Sequence, residues 1–178
     1  AARKKQEANF ILGGIYIELK NDFEEGKKYL EEASRNNYLD ATYALGAYYY
    51  KNGDMKKALE YFESGLKQNH GDSIFNLGLV YFDGKLDGQN YTKAREYFSL
   101  GEKINDSQSC LYLGIIYENG HGTPKDFNRA KYLYKKAIEL GLDKGYCYLG
   151  SLYYNGNENN PPDFVEAKKC FELAAGKQ

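Results

Sequence analysis

The sequence predicts an all-α solenoid of five antiparallel helix pairs, and two recurrences predict it. The first is Leu-Gly-x-x-Tyr, written at Leu12–Tyr16, Leu45–Tyr49, Leu77–Tyr81, Leu113–Tyr117 and Leu149–Tyr153. Its glycines fall at 13, 46, 78, 114 and 150, a period of 33, 32, 36 and 36 residues. A unit of that length cannot bury its own hydrophobic face, so successive units stack. The second recurrence is a capping residue before an apolar one: Asp22-Phe23, Asp54-Met55, Asn90-Tyr91, Asp126-Phe127 and Asp163-Phe164. An Asp or Asn oxygen accepts from the orphan N–H groups that open a helix.

The first helix of each pair, helix A, carries the signature, because Leu and Tyr four apart share a helical face. It is expected at 8–19, 41–52, 73–83, 109–119 and 145–155. The second, helix B, follows the cap. Four residues after each cap stands a small residue (Gly26, Ala58, Ala94, Ala130, Ala167), then a bulky pair, then Ala33, Gly65, Gly101, Ala137 or Ala174. These offsets trace one helical face, placing helix B at 23–35, 55–68, 91–104, 127–140 and 164–175. Stops follow in Asn36-Asn37, Asn69-His70-Gly71, Asn105-Asp106 and Gly141. A glycine inside a helix costs about 1 kcal/mol against Ala. Its recurrence at one phase implies a close approach of helix A to helix B, with the glycine facing residues such as Ala58 and Ala94.

These residues resemble the Sel-one-like repeat, a relative of the tetratricopeptide repeat with a longer loop between its helices. Repeat four carries the pattern almost whole, from Leu113-Gly114 through Tyr117, Gly120, Gly122, Pro124, Asp126, Ala130 and Tyr134 to Ala137. Repeat five keeps Gly156 and Asp163 but has Asn157–Asn160 and Pro161-Pro162 in its loop. Repeat three has Gly84-Lys-Leu-Asp-Gly88-Gln there, and repeats one and two have short, tetratricopeptide-like loops. The resemblance covers essentially the whole chain as a single domain, with repeats at about 8–40, 41–72, 73–108, 109–144 and 145–178. It implies a right-handed superhelix with helix A on the concave side. The fifth helix B ends in Ala174-Ala175-Gly176 without an added polar cap. Solenoid ends need shielding, so end-to-end contact through this repeat, or cover from further residues, is expected.

With 24 basic and 25 acidic residues there is no chain-wide field to attract nucleic acid or an anionic membrane. Membrane insertion is not expected: the longest apolar stretch, Phe10–Leu19, is broken by two glycines and a glutamate, well short of the roughly 20 residues needed to span. Ala1-Ala2-Arg3 reads as an internal boundary, so no compartment is assigned. Cofactors and metals are not expected, since Cys-x-x-Cys and His-x-x-x-His are missing. Cys110, Cys147 and Cys170 read as reduced, mostly buried thiols. A cysteine-rich branch of the resembled family bridges helix A to helix B, and Cys110 holds the first position of that bridge. The second is Ile138, so the bridge cannot form. His70 lies at a helix end, and His121 belongs to the Gly120-His-Gly-Thr-Pro-Lys125 repeat loop, which follows a helix and not the strand of a phosphate loop. Neither has a nucleophile motif beside it.

The expected function is a non-catalytic protein-interaction scaffold that takes a peptide segment or helix of a partner on its concave helix A surface. The alternative is a secreted or periplasmic factor binding a small molecule or glycan, or the repeat segment of a larger enzyme. Single-stranded RNA binding ranks below both, because Asp40, Asp72 and Asp83 stand against Lys51 and Lys144 on the inner face. The resemblance carries groove positions onto Phe10, Tyr43, Phe75 and Leu111 three before the signature glycine, and Leu79 and Ile115 one after. It carries them also onto Ile17, Tyr50, Phe82 and Tyr154 four after, and Lys51 and Asp83 five after. Ile17, Tyr50 and Phe82 have no obvious packing stripe beside them, so Tyr50 and Phe82 are expected as anchors, with Lys51 and Asp83 fixing register.

Overall fold

In the computed structural model, which describes residues 2–85, 88–157 and 159–176, the chain is all-helical. Helix A of the five repeats is α1 (Ala2–Glu18), α3 (Leu39–Lys51), α5 (Gly71–Asp83), α7 (Ser107–Asn119) and α9 (Lys144–Asn155). Helix B is α2 (Phe23–Arg35), α4 (Met55–Leu66), α6 (Tyr91–Lys103), α8 (Phe127–Glu139) and α10 (Phe164–Ala174). Each helix A starts earlier than the periodicity predicts, α1 by six residues, because polar first turns carry no apolar period. Gly71 opens α5 and does not close α4. Leu86 and Asp87 of the third loop, and Glu158 of the fifth, lie outside the described residues.

All five expected caps form. Asp22, Asp54, Asn90, Asp126 and Asp163 each accept the N–H three residues on, at 2.9–3.2 Å. The same residues donate their own N–H to the carbonyl of the signature tyrosine: Asp22 to Tyr16 at 2.8 Å, Asp54 to Tyr49 at 3.0 Å, Asn90 to Tyr81 at 2.9 Å, Asp126 to Tyr117 at 2.9 Å, Asp163 to Tyr153 at 2.8 Å. One residue therefore ties the end of helix A to the start of helix B whatever the loop length. After helix B the chain turns through left-handed Asn37, Asn69, Asn105 and Gly141. Gly is the default at such a position and Asn the usual substitute.

The chain divides into two compact units, Ala1–Leu77 and Gly78–Gln178. In the first, α1 packs on α2, α2 on α3 and α3 on α4. Leu30, Ala33, Ala41 and Leu45 form a buried cluster, with Phe10, Ile17 and Tyr38 against it. In the second, α6 packs on α7, α7 on α8, α8 on α9 and α9 on α10. Its core joins Cys110, Leu111, Ala130, Tyr134, Leu149 and Leu152. Glu102 on α6 is bonded by Arg129 at 2.6 Å, and its backbone carbonyl accepts from Lys136 Nζ at 3.0 Å, which fastens α8 across to the preceding pair.

The signature glycines do not face Ala58 or Ala94 as the sequence suggests. They face the bulky residue eight after the cap. A Cβ on Gly46 would lie 2.6 Å from Phe62 Cε1, and one on Gly114 2.5 Å from Tyr134 Cε1; Gly78 meets Phe98 in the same way. Gly13 alone approaches a small partner, the Gly26 carbonyl, besides Leu30. The small residue of helix A makes room for a ring, and these rings are fully buried. Between repeats, small meets small: Gly65 lies on Ser73 and Gly101 on Ser109.

Gly114→Ala should therefore destabilise the chain by about 1–3 kcal/mol, the usual range for overpacking. Gly14, with open space at its Cβ, should gain about 0.5–1 kcal/mol as Ala from the lost backbone entropy of the unfolded state. Urea denaturation of the two variants checks this, and equal shifts in one direction would refute the ring-over-glycine account.

Candidate partner-binding surface

The residues expected to line a groove are mostly occupied within the fold. Leu111 is core, and Phe75 is buried; neither can touch a partner, which corrects the expectation for both. Phe10 and Ile17 pack on the Leu30 cluster, and Phe10 meets Tyr38 at a tilt with ring centroids 5.5 Å apart. Tyr43 lies 6.2 Å from Phe62 and 5.8 Å from His70, and Tyr50 lies 6.4 Å from Phe62. Phe82 is ringed by Tyr91, Phe98, Tyr112 and His121, at 5.4–6.3 Å. The row four after the glycine thus has a packing stripe, supplied by the rings that cross the signature glycines. Tyr50 and Phe82 serve first as packing residues. Leu79 and Ile115 are half-buried, while Lys51, Asp83 and Tyr154 are exposed.

The second unit carries a cleft of about 230 Å³ at the ends of α7 and α9. Glu118, Asn119 and Asn155, at the four-after and five-after positions, line it with Lys125, Phe127 and Leu152. Left-handed Gly120 ends α7 and turns the loop so that Lys125 comes back over it. The Tyr134 hydroxyl donates to Glu118 Oε2 at 2.5 Å, fixing the carboxylate from below. Burial, then this carboxylate, raises the Tyr134 hydroxyl far above its ordinary pKa, so it stays a donor at any physiological pH. The Asn119 amide donates to the Ile115 carbonyl at 3.0 Å, which turns its oxygen outward as an acceptor. Asn157 closes the rim in a tight turn, accepting from the N–H groups of Asn159 and Asn160 at 3.0 and 2.8 Å. A cleft bearing amides, one fixed carboxylate and one ammonium can hydrogen-bond a peptide backbone and pair with a charged side chain.

Both histidines have structural partners. His70 Nδ1 lies 3.0 Å from Ser73 Oγ and Nε2 lies 3.4 Å from Asp40; His121 stacks on Tyr91 at 4.3 Å. Among the described residues no cluster of three His, Cys, Asp or Glu could hold a metal, and no helix is long and apolar enough to cross a membrane.

The Sel1 repeat model matches five times, over residues 7–38, 39–70, 71–102, 107–142 and 143–177. The chain belongs to the Sel1 repeat family. Its fold is shared with a Sel1 repeat protein from Oxalobacter formigenes, at a TM-score of 0.79 and 23% identity over 96% of this chain and 72% of that one. It is shared too with c5321, a protective antigen present in uropathogenic Escherichia coli strains, at 0.79 and 22% identity. That match takes in 99% of this chain but 39% of the antigen. Pseudomonas aeruginosa pilF matches at 0.72 and 19% identity over 99% of this chain and 78% of its own. A comparison with curated protein sequences gave no match. Sel1 repeats are generally non-catalytic scaffolds for protein interaction.

The three free thiols differ in a way the structure makes measurable. Cys110 and Cys170 are buried while Cys147 is exposed, in keeping with the expectation of mostly buried thiols. Burial pushes the Cys110 thiol up to about 11, so at pH 8 it is almost wholly protonated and unreactive. A disulfide reagent at pH 8 should titrate one thiol rapidly in the native chain and three in guanidinium. Three fast thiols in the native chain would contradict the packing around Cys110.

Proposed function

We propose that this chain is a non-catalytic adaptor that holds a peptide segment of a partner protein across the α7–α9 face of its second unit. The observation that supports this reading is the cleft itself. It falls on the helix A positions that tetratricopeptide-like repeats use for ligands, and it offers Glu118, Asn119 and Asn155 where Ile17, Tyr50 and Phe82 pack within the fold. In this reading Asn119 and Asn155 bond the peptide backbone, Lys125 meets an acidic side chain, and Phe127 offers a shallow apolar contact. Glu118, held by Tyr134, rejects a second carboxylate and so orients the segment.

Nucleic acid is not the proposed partner, because near-equal charge gives no phosphate-tracking surface. Nor, among the described residues, does the cleft hold a nucleophile paired with a base. The glycan reading shares the same amides, so the two are separated by the ligand class that competes.

Selection from a displayed peptide library against the intact chain supplies the probe. The Asn119→Ala/Asn155→Ala double variant should bind selected peptides more than tenfold more weakly, about 1.4 kcal/mol, with an unchanged melting temperature. Peptides that bind the double variant as well as the parent, or a library that yields no binder while oligosaccharides do bind, would defeat the proposal.

A further inference from the structure

The chain contains the pairs Asn52-Gly53, Asn119-Gly120 and Asn155-Gly156, and each stands at the end of a helix A. An Asn-Gly pair is chemically exposed in its own way. Glycine puts no side chain beside its nitrogen, so that nitrogen can reach Cγ of the preceding asparagine and close a cyclic imide. The bond from the glycine nitrogen to Cγ forms and the Cγ–Nδ2 bond breaks. The side-chain amide leaves as ammonia, carrying the proton lost from the glycine nitrogen. Water then opens the imide at either carbonyl and leaves aspartate or isoaspartate. In a folded chain two conditions must hold. The asparagine side chain must be free to turn onto the backbone, and the glycine N–H must leave its hydrogen bond.

All three asparagines are exposed, so access to water does not separate them. Their hydrogen bonds do. Asn52 Nδ2 donates to the Tyr48 carbonyl at 2.8 Å, and Asp54, directly after Gly53, bonds back to Tyr49 at 3.0 Å. Asn119 Nδ2 donates to the Ile115 carbonyl at 3.0 Å, and the N–H groups of Gly120 and His121 both donate to Ile116, at 2.9 and 3.0 Å. Asn155 is held differently. Among the described residues its side-chain amide has no hydrogen-bond partner. The Gly156 N–H makes one bond, to Leu152 at 3.1 Å. The next backbone bond to α9 among the described residues comes only at Asp163, which meets Tyr153 at 2.8 Å. Opening the last bond of α9 therefore releases the nitrogen beside a side chain that is already free. Frayed helix ends open at the smallest free energies in a fold.

We infer that Asn155-Gly156 is a self-modification site, where the folded chain turns asparagine into aspartate or isoaspartate by losing ammonia and taking up water. Asn52 and Asn119 are held back by their amide bonds to the turn behind them. The change falls where it alters chemistry, because Asn155 lines the α7–α9 cleft together with Glu118. Conversion removes an amide donor from that cleft and adds a second carboxylate, an acceptor only. In the adaptor reading, on which this consequence alone rests, the converted cleft holds its peptide less well. The chemistry at Asn155 needs no ligand and stands apart from that reading.

Peptide mapping by mass spectrometry of the native chain, aged at pH 8, tests the site directly. Asn155 should convert ~tenfold faster than Asn52 or Asn119, since the rate follows the population of the opened helix end. In guanidinium the three rates should converge, because each is then an unfolded Asn-Gly pair. A native chain that keeps Asn155 intact, or converts Asn52 or Asn119 as fast, would overturn the proposal. Asn155→Gln supplies the second arm: it keeps an amide, and its longer side chain closes the imide far more slowly. Once converted, the parent should bind its library-selected peptides ~fivefold more weakly than when fresh, the scale of one lost hydrogen bond. Aged Asn155→Gln should bind as its own fresh sample does. Conversion at Asn155 with unchanged peptide affinity would overturn the effect on the cleft. A library without binders would remove the adaptor reading, and the effect on the cleft with it, while the mapping still decides the site.

Discussion

Each repeat depends on one residue that bonds in two directions. The cap at the head of helix B accepts an N–H of its own first turn and gives its backbone N–H to the carbonyl of the signature tyrosine. Those are groups that helix ends otherwise leave unsatisfied. Because both bonds are made by the same residue, the end of helix A and the start of helix B are fixed relative to one another without help from the loop. The tyrosine side chain reinforces the joint by stacking on helix B: Tyr16 on Tyr29, Tyr49 on Tyr61 and Tyr81 on Tyr97, with centroids 5.5–5.7 Å apart. With the helix ends fixed, the glycine comes to lie under the ring eight residues past the cap.

That order of dependence explains what was legible in the sequence. Caps, stops and helix pairs are local chemistry repeated five times, and the helix ends came out within a few residues except where polar first turns hid them. The small residues on both helices announced a close approach. What they did not announce was their partner. Alternating Gly with Phe or Tyr at fixed phases was visible at Gly46 and Phe62, Gly78 and Phe98, Gly114 and Tyr134. Deciding that the ring crosses the glycine, and not that two small residues meet, requires the splay between the helices. Once the ring is placed there it also touches the residue four after the glycine, so Tyr50 and Phe82 lose the isolation that made them look like anchors. The polar cleft beside Glu118 was less legible still, because it needs the return of a loop, which has no period.

The repeat also turns hydrogen bonding into a comparison among like positions. An exposed asparagine before a glycine means little on its own. Three such pairs, each ending a helix A, are informative, because Asn52 and Asn119 hold their amides on the turn behind and Asn155 does not. Sequence alone could not supply this, since the three pairs read identically until their bonds are placed.

The cap bond leaves the loop between Tyr and cap free to vary without cost to the fold. Between Tyr49 and Asp54 there are four residues, and between Tyr117 and Asp126 there are eight. The four-residue connection runs directly from one helix to the next through left-handed Gly53. The longer one leaves α7 through left-handed Gly120, folds His121 down onto Tyr91, and carries Lys125 back beside the helix A surface. In the fifth loop Gly156, also at positive φ, and Asn157 stand at the rim of the cleft. The helix-pair joint is therefore made alike in every repeat, while the chemistry over helix A is set by loop residues outside that shared joint. Positions of that kind carry function on many scaffolds. Here they place amide, carboxylate and ammonium groups together where the loops are long enough to form a rim.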